Sequence, residues 1–248
     1  MSAPASPLRA TAAMTSMELR LTARRGENLL VTIIIPAVVL LFFASVSVLP
    51  TPGRPVDFLL PGALALAVIA SSLVNLGIAT GYDRHYGVLK RLGGSPLTRG
   101  QLLTAKIAAV VAVELVQFGL LIVIAFVLLG WRPVPGAPLG LVGLGVVLGT
   151  VVFAGLGFAM AGGLRAELTL ALANALFLAF LLLGGIVLPI DHLPAPLATL
   201  ASILPAAALA DLFRAAFGGS ANVVWSVIVL VVWGVAAVAI AARTFSWE

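Results

Sequence analysis

The chain contains no cysteine, which excludes disulfides and thiolate metal sites. Charge is scarce as well. Asp, Glu, Lys and Arg make up 9% of the 248 residues, against 62% hydrophobic, and the mean hydropathy is +1.20. A soluble domain of this length needs far more charge to cover its surface. The apolar excess therefore belongs in lipid, and no length remains for a sizeable soluble domain. The sequence has no G-x-x-x-x-G-K-[ST] phosphate loop, so nothing in it is seen to cradle a nucleotide. It has no G-x-S-x-G elbow either. The two histidines, His85 and His192, fall on opposite predicted sides of the membrane and cannot share a metal. The net charge of +5 lies between apolar runs, which points to lipid headgroups rather than nucleic acid.

What is present is a series of apolar runs, each near the roughly 20 residues that cross a bilayer. They read as spans over Leu29–Leu49 (with Pro36 inside), Phe58–Thr80, Ile107–Leu129, Leu139–Gly162, Leu168–Leu188 and Asn222–Ala242. Residues 1–28 lack the continuous apolar core of a signal peptide. They are expected to form a tail over residues 1–13 and an interfacial helix over Met14–Asn28. Arg9, Arg20, Arg24, Arg25, Arg84, Lys90, Arg91, Arg99, Lys106, Arg165 and Arg243 fall on one side, and Arg54, Arg132 and Arg214 on the other. The first side is cytoplasmic by the positive-inside rule, with both termini on it. In the fourth span Gly145, Gly149, Phe153 and Gly157 recur at four-residue steps. Such a stripe lets helix backbones approach closely, within the bundle or across a dimer seam.

The charged island Gly81–Arg99 separates the second and third spans. As a helix over Tyr82–Leu92, it puts Tyr82, Tyr86 and Leu89 on one face and Arg84 and Arg91 on another, directed to water. That arrangement suits docking of a soluble protein or binding of anionic headgroups. Ser95, before Pro96, reads as a turn or helix-cap residue rather than a nucleophile. Polar residues inside the spans are few: Asn75, Glu114, Gln117 and Asn174. Glu114 and Gln117 share a helical face. An ionised carboxylate at mid-membrane costs about 2.5–3.5 kcal/mol on insertion scales. Glu114 is therefore either a proton relay or a neutral, hydrogen-bonded group. Residues 189–214 are too broken by Pro189, Pro194, Pro196 and Pro205 to form one crossing helix. They are expected to dip partway into the outer side, with Asp211 and Arg214 paired at i, i+3.

In order and spacing, these features resemble the ABC-2 type permease family, the membrane half of bacterial drug, polyketide and polysaccharide exporters. The resemblance covers nearly the whole chain and rests on three stretches. The first is Arg24-Arg25 followed by a span containing Pro36. The second is Asp83-Arg84-x-x-Gly87-x-Leu89-Lys90-Arg91-Leu92 with Ser95-Pro96-Leu97 and Lys106. The third is Gly184-Gly185-Ile186-Val187-Leu188-Pro189 with Leu193-Pro194, Pro205 and Asp211-x-x-Arg214.

The resemblance implies an all-α membrane protein of six transmembrane helices. Residues 1–28 would be the cytoplasmic tail and interfacial helix, and residues 29–248 the transmembrane domain. Within the latter lie a cytoplasmic coupling segment (81–106) and an outer re-entrant segment (189–214). Tyr82, Asp83, Arg84, Gly87, Lys90, Arg91 and Pro96 would couple to a separate ATPase subunit. Asn75, Glu114, Gln117 and Asn174 would mark the translocation pathway. The chain would carry no cofactor, with ATP and Mg on the partner. It would dimerise with a second permease copy or a paralogue in a bacterial inner membrane. The implied function is export of a lipophilic or amphipathic substrate. The competing expectations are a proton-coupled secondary transporter using Glu114 and an intramembrane enzyme, the latter weakened by the lack of convergent catalytic groups.

Overall fold

The computed structural model describes residues 6–24, 26–46, 53–95 and 97–245, with side chains in the second helix from Thr32 onward. Arg25 and Pro96 lie outside the described residues. The chain is an all-α membrane protein, with no β-strand among the described residues. The helices are α1 (Pro7–Arg24), α2 (Gly26–Ser45), α3 (Pro55–Val68), a π-helical segment (Ile69–Asn75), α4 (Leu76–His85), α5 (Val88–Gly93), α6 (Arg99–Leu128), α7 (Gly140–Gly163), α8 (Ala166–Leu183), α9 (Ala195–Ser202), α10 (Pro205–Ala216) and α11 (Val223–Thr244).

Five helical stretches are long and apolar enough to cross a bilayer: Pro55–His85, Arg99–Leu128, Gly140–Gly163, Ala166–Leu183 and Val223–Thr244. The described part of α2, Thr32–Ser45, is a shorter apolar helix, and α9 and α10 form a pair bent by 73°. The continuous α3–π–α4 rod is the centre of the bundle. Its most apolar window is 89% buried, against 28% for α8 and α11, whose remaining surface faces outward. It packs against α2, α6, α7, α8 and α10.

Local chemistry sets the helix ends. Pro55 occupies the first turn of α3 after the extended Arg54, with Asp57 in the same turn, where a fixed φ and a negative charge both favour helix initiation. Thr98 and Gln101 form a reciprocal capping box at the start of α6 (2.8 and 3.2 Å). Asn222 caps α11 by accepting from the Trp225 N–H at 3.0 Å.

Several boundaries differ from the expected ones, and the fifth span ends at Leu183 rather than Leu188. Helix α1, where an interfacial helix is expected over Met14–Asn28, runs over Pro7–Arg24. The third span begins at Arg99 rather than Ile107, because the capping box starts the helix before its hydropathy rises. The island is not one helix over Tyr82–Leu92. Tyr82–His85 is the last turn of the central rod, and Gly87 breaks the chain in a left-handed conformation (φ 69°) before the short α5. That backbone region favours glycine.

The glycine stripe of α7 packs within the chain. A Cβ at Gly157 would lie 2.9 Å from the Ser72 carbonyl oxygen, and one at Gly77 would lie 3.1 Å from Gly157 Cα. The central rod and α7 therefore meet backbone to backbone. Farther along, Gly145 faces Phe213 and Gly149 faces Leu209, both of α10.

Candidate functional site

Where the central rod widens into a π-helix, it meets two polar residues of α6. An α-helix sets consecutive residues about 100° apart, and the wider π turn brings two neighbours closer to one face. Ser72 donates to Glu114 Oε1 (2.6 Å) and Ser71 to Gln117 Oε1 (2.8 Å). Thr150 of α7 donates to Glu114 Oε2 (2.7 Å), and Gln117 Nε2 donates to the Thr32 carbonyl of α2 (3.2 Å). Ser71, Ser72, Glu114, Gln117 and Thr150 are all buried. This network ties four elements together at the centre of the apolar layer, with each buried polar group given a partner.

A second buried cluster lies nearer the basic end, between α1, α4 and α6. Lys106 Nζ sits 2.8 Å from both Glu18 Oε1 of α1 and Asp83 Oδ2 of α4. Lys106 is 2% exposed. A buried ammonium requires such pairing. It fastens α1 and the end of the central rod to the start of α6. Leu89 of α5 is buried in the adjoining apolar cluster with Met14, Leu76, Leu102 and Phe158, so the short helix after the central rod is anchored by packing as well.

Arg84 does not point to water. It donates to the carbonyls of Gly162 and Leu164 at the α7–α8 turn, where the last helical carbonyls otherwise lack partners. Tyr82 and Tyr86 stack (centroids 5.9 Å, interplanar 22°) with His85 edge-on to Tyr86. Tyr86 is exposed and Leu89 buried, so the two do not share a face across the Gly87 break. Lys90 and Arg91 are exposed on α5. Ser95 is a turn residue, donating to the Leu92 carbonyl (2.6 Å) and accepting from the Leu97 N–H (3.3 Å).

Two cavities adjoin the central rod here. An open groove of about 580 Å³ between α2, α4 and α8 is lined by Asn75, Tyr82, Tyr86 and Asn174 with Ile78 and Leu170. A small cavity of about 40 Å³ lies between α1, α4 and α6, touching Ser71, Asn75 and the Glu18–Lys106–Asp83 cluster. Of the four pathway residues expected from the sequence, the structure brings Asn75 and Asn174 to the groove. It places Glu114 and Gln117 in the sealed network instead.

At the opposite end Arg214 donates to Asp211 Oδ1 (2.7 Å) and to the Gly185 carbonyl, and stacks over Phe58 at 4.0 Å. With Asp57, Asp191 and Asn222 it lines a cleft of about 500 Å³. Pro189 and Pro194 precede the 3₁₀ turn and α9, and Pro205 opens α10. The Trp225 and Trp233 indoles of α11 donate to the Ser202 and Ile203 carbonyls (3.2 and 2.9 Å) at the α9–α10 bend. Among the described residues, no group of three His, Asp or Glu is placed to hold a metal ion.

A membrane bundle with a helix break and exposed basic residues after its central span, and a bent helix pair before its last, fits one family description. The model of the ABC-2 type transporter matches residues 9–217. The chain belongs to the ABC-2 type transporter family. It is the multi-pass membrane subunit of an ABC transporter, and in this family ATP is hydrolysed on a partner subunit. The match takes in both buried networks and the bent α9–α10 pair of this ABC-2 subunit and stops before α11. No curated protein matches the chain.

Four residues in these networks were not singled out from the sequence. Glu18 sits among charged residues of an amphipathic helix, and Ser71, Ser72 and Thr150 are small residues of ordinary span type. A polar triplet facing Glu114 and Gln117 could have been sought, but a π turn has no hydropathy signature.

Proposed function

We propose that this permease moves a lipophilic or amphipathic molecule (a drug, polyketide, lipid or glycan-lipid) out of the cytoplasm, driven by a separate ATPase. The basic end faces the cytoplasm, and the ATPase docks on the segment from Tyr82 through α5, with exposed Lys90 and Arg91 as its charged contacts. Gly87 gives that segment its break, and Pro96 and Asp83 belong to the same coupling region. Residues 189–214 close the outer side. A second copy or a paralogue completes the transporter.

The observation that carries this reading is the groove between α2, α4 and α8. It is open and mixed in character: Val74, Ile78, Ala79, Val88 and Leu170 face two amides, a tyrosine pair, Thr32 and Asp83, and it adjoins the coupling segment on the same helix. Displacing the end of the central rod changes its shape directly. Apolar walls with a few placed polar groups suit an amphipathic cargo.

The test is reconstitution with the cognate ATPase and measurement of ATP-dependent efflux. Lys90→Glu with Arg91→Glu is expected to abolish ATPase association and efflux while membrane insertion persists. Unchanged co-purification of the ATPase would remove the coupling role.

The proton-coupled alternative rests on Glu114. Against it, both Glu114 oxygens are occupied by Ser72 and Thr150, and the residue lies outside the groove. Uptake or efflux by the purified chain alone, lost in Glu114→Gln, would reverse the preference.

A further inference from the structure

The side of α7 turned away from the central rod holds a second groove, which the transport reading does not use. Its base is Ala154 and Gly155 of α7, and its walls are Leu103 and Ile107 of α6 and Val238 and Ala242 of α11. Its volume is about 320 Å³ and its polar lining is slight. Gly155 makes the groove by letting α11 come close: a Cβ there would lie 2.9 Å from the Ala237 Cβ. Phe245 lines the groove at the basic end, packed edge-on to Phe158. Arg99 lies at this mouth and donates to the Phe245 carbonyl at 3.3 Å.

We propose that this groove holds one acyl chain of an anionic phospholipid, with the headgroup phosphate at the Arg99 mouth. Three features favour that occupant. The first is depth. Val151 to Phe158 spans about 10 Å at the helical rise, within the roughly 15 Å of one hydrocarbon leaflet. The groove runs along the helix axes, as an acyl chain does. The second is charge. Arg99 and the exposed Arg243 stand at the basic end, and no carboxylate lines the groove among the described residues. The third is the positive end of the α6 dipole, which opens at the same mouth. A Cβ on Gly100, in that first turn, would have nothing within 4 Å, so a phosphate has room. The translocation groove shares no lining residue with this one, so the lipid is a bound component rather than cargo.

The test uses the full chain purified in mild detergent. It is exposed to equimolar dioleoylphosphatidylglycerol and dioleoylphosphatidylcholine, and retained lipids are counted by native mass spectrometry. The wild-type chain is expected to retain one phosphatidylglycerol in preference to phosphatidylcholine by on the order of tenfold, the factor that one or two surface cations give. Ala242→Trp and, independently, Val238→Trp should abolish that retention by filling the groove. Val232→Trp, on the exposed face of the same helix, should leave it intact. Arg99→Gln with Arg243→Gln should bring the preference close to one.

Equal retention of both lipids by the wild-type chain would overturn the proposal. So would phosphatidylglycerol retention that survives both groove-filling variants. The chain has no native thiol, so Ala242→Cys reports any second copy unambiguously. Efficient disulfide crosslinking between copies in vesicles would give the groove to a protein neighbour and reject the lipid.

Discussion

Ser72 donates a 2.6 Å hydrogen bond to Glu114, and it does so from a π-helical turn at the centre of the most buried helix in the molecule. The adjacent Ser71 reaches Gln117 from the same turn. The departure from α-helical winding is thus matched, residue for residue, by polar groups on α6. Irregular backbone inside a bilayer persists where protein surrounds it, and here α6 and α7 do so.

Removing the acceptor should therefore be costly and replacing it conservatively should not. Glu114→Ala is expected to destabilise by about 1–3 kcal/mol for each buried hydroxyl left without a partner. Glu114→Gln should retain most of the stability. Thermal unfolding of the purified variants in detergent checks both. Export by the reconstituted transporter should survive Glu114→Gln, whereas the proton-coupled alternative requires its loss.

Lys106→Met leaves Glu18 and Asp83 facing each other across a buried site. The expected loss is about 3–5 kcal/mol, the range for breaking a buried pair by removing one partner. Adding Glu18→Gln to Lys106→Met should recover part of it. No recovery, read from the unfolding midpoint, would mean that α1 is held by packing around Met14 rather than by charge.

Two glycines, one packed against the central rod and one at its end, should respond differently. Gly157→Ala drives a Cβ against the Ser72 carbonyl at 2.9 Å, and about 1–3 kcal/mol of overpacking is expected. At Gly87 a Cβ meets nothing within 4 Å, but φ is +69°. Gly87→Ala should cost about 1–2 kcal/mol through the left-handed backbone alone, and Gly87→Asn less. The order of unfolding midpoints among these three variants tests the distinction.

Arg84 and Arg91 were expected to act alike, and the structure separates them. Arg84→Gln should lower stability by loosening the α7–α8 turn, by about 1–3 kcal/mol for charge-assisted bonds. Arg91→Glu should leave the unfolding midpoint unchanged and weaken ATPase co-purification. Equal effects of the two variants on both readouts would contradict the assignment.

The fourth span was legible because hydropathy sets its ends: expected over Leu139–Gly162, it is helical over Gly140–Gly163. The Asp211–Arg214 pair was legible because i, i+3 spacing is local. What the sequence hid was long-range or geometric. Lys106 looked like a boundary charge, since its partner Glu18 lies on a helix far away in the chain. Tyr82–Leu92 looked like one helix, since periodicity does not register the break that Gly87 makes. Asn75 and Asn174 converge on the groove only because the central rod and α8 pack together.

The grip of Arg84 on the carbonyls of Gly162 and Leu164 has a mechanical corollary. The same side chain belongs to the rod that ends next to Gly87. Under the proposed docking, a push delivered there would be handed through Arg84 to the neighbouring α7–α8 hairpin.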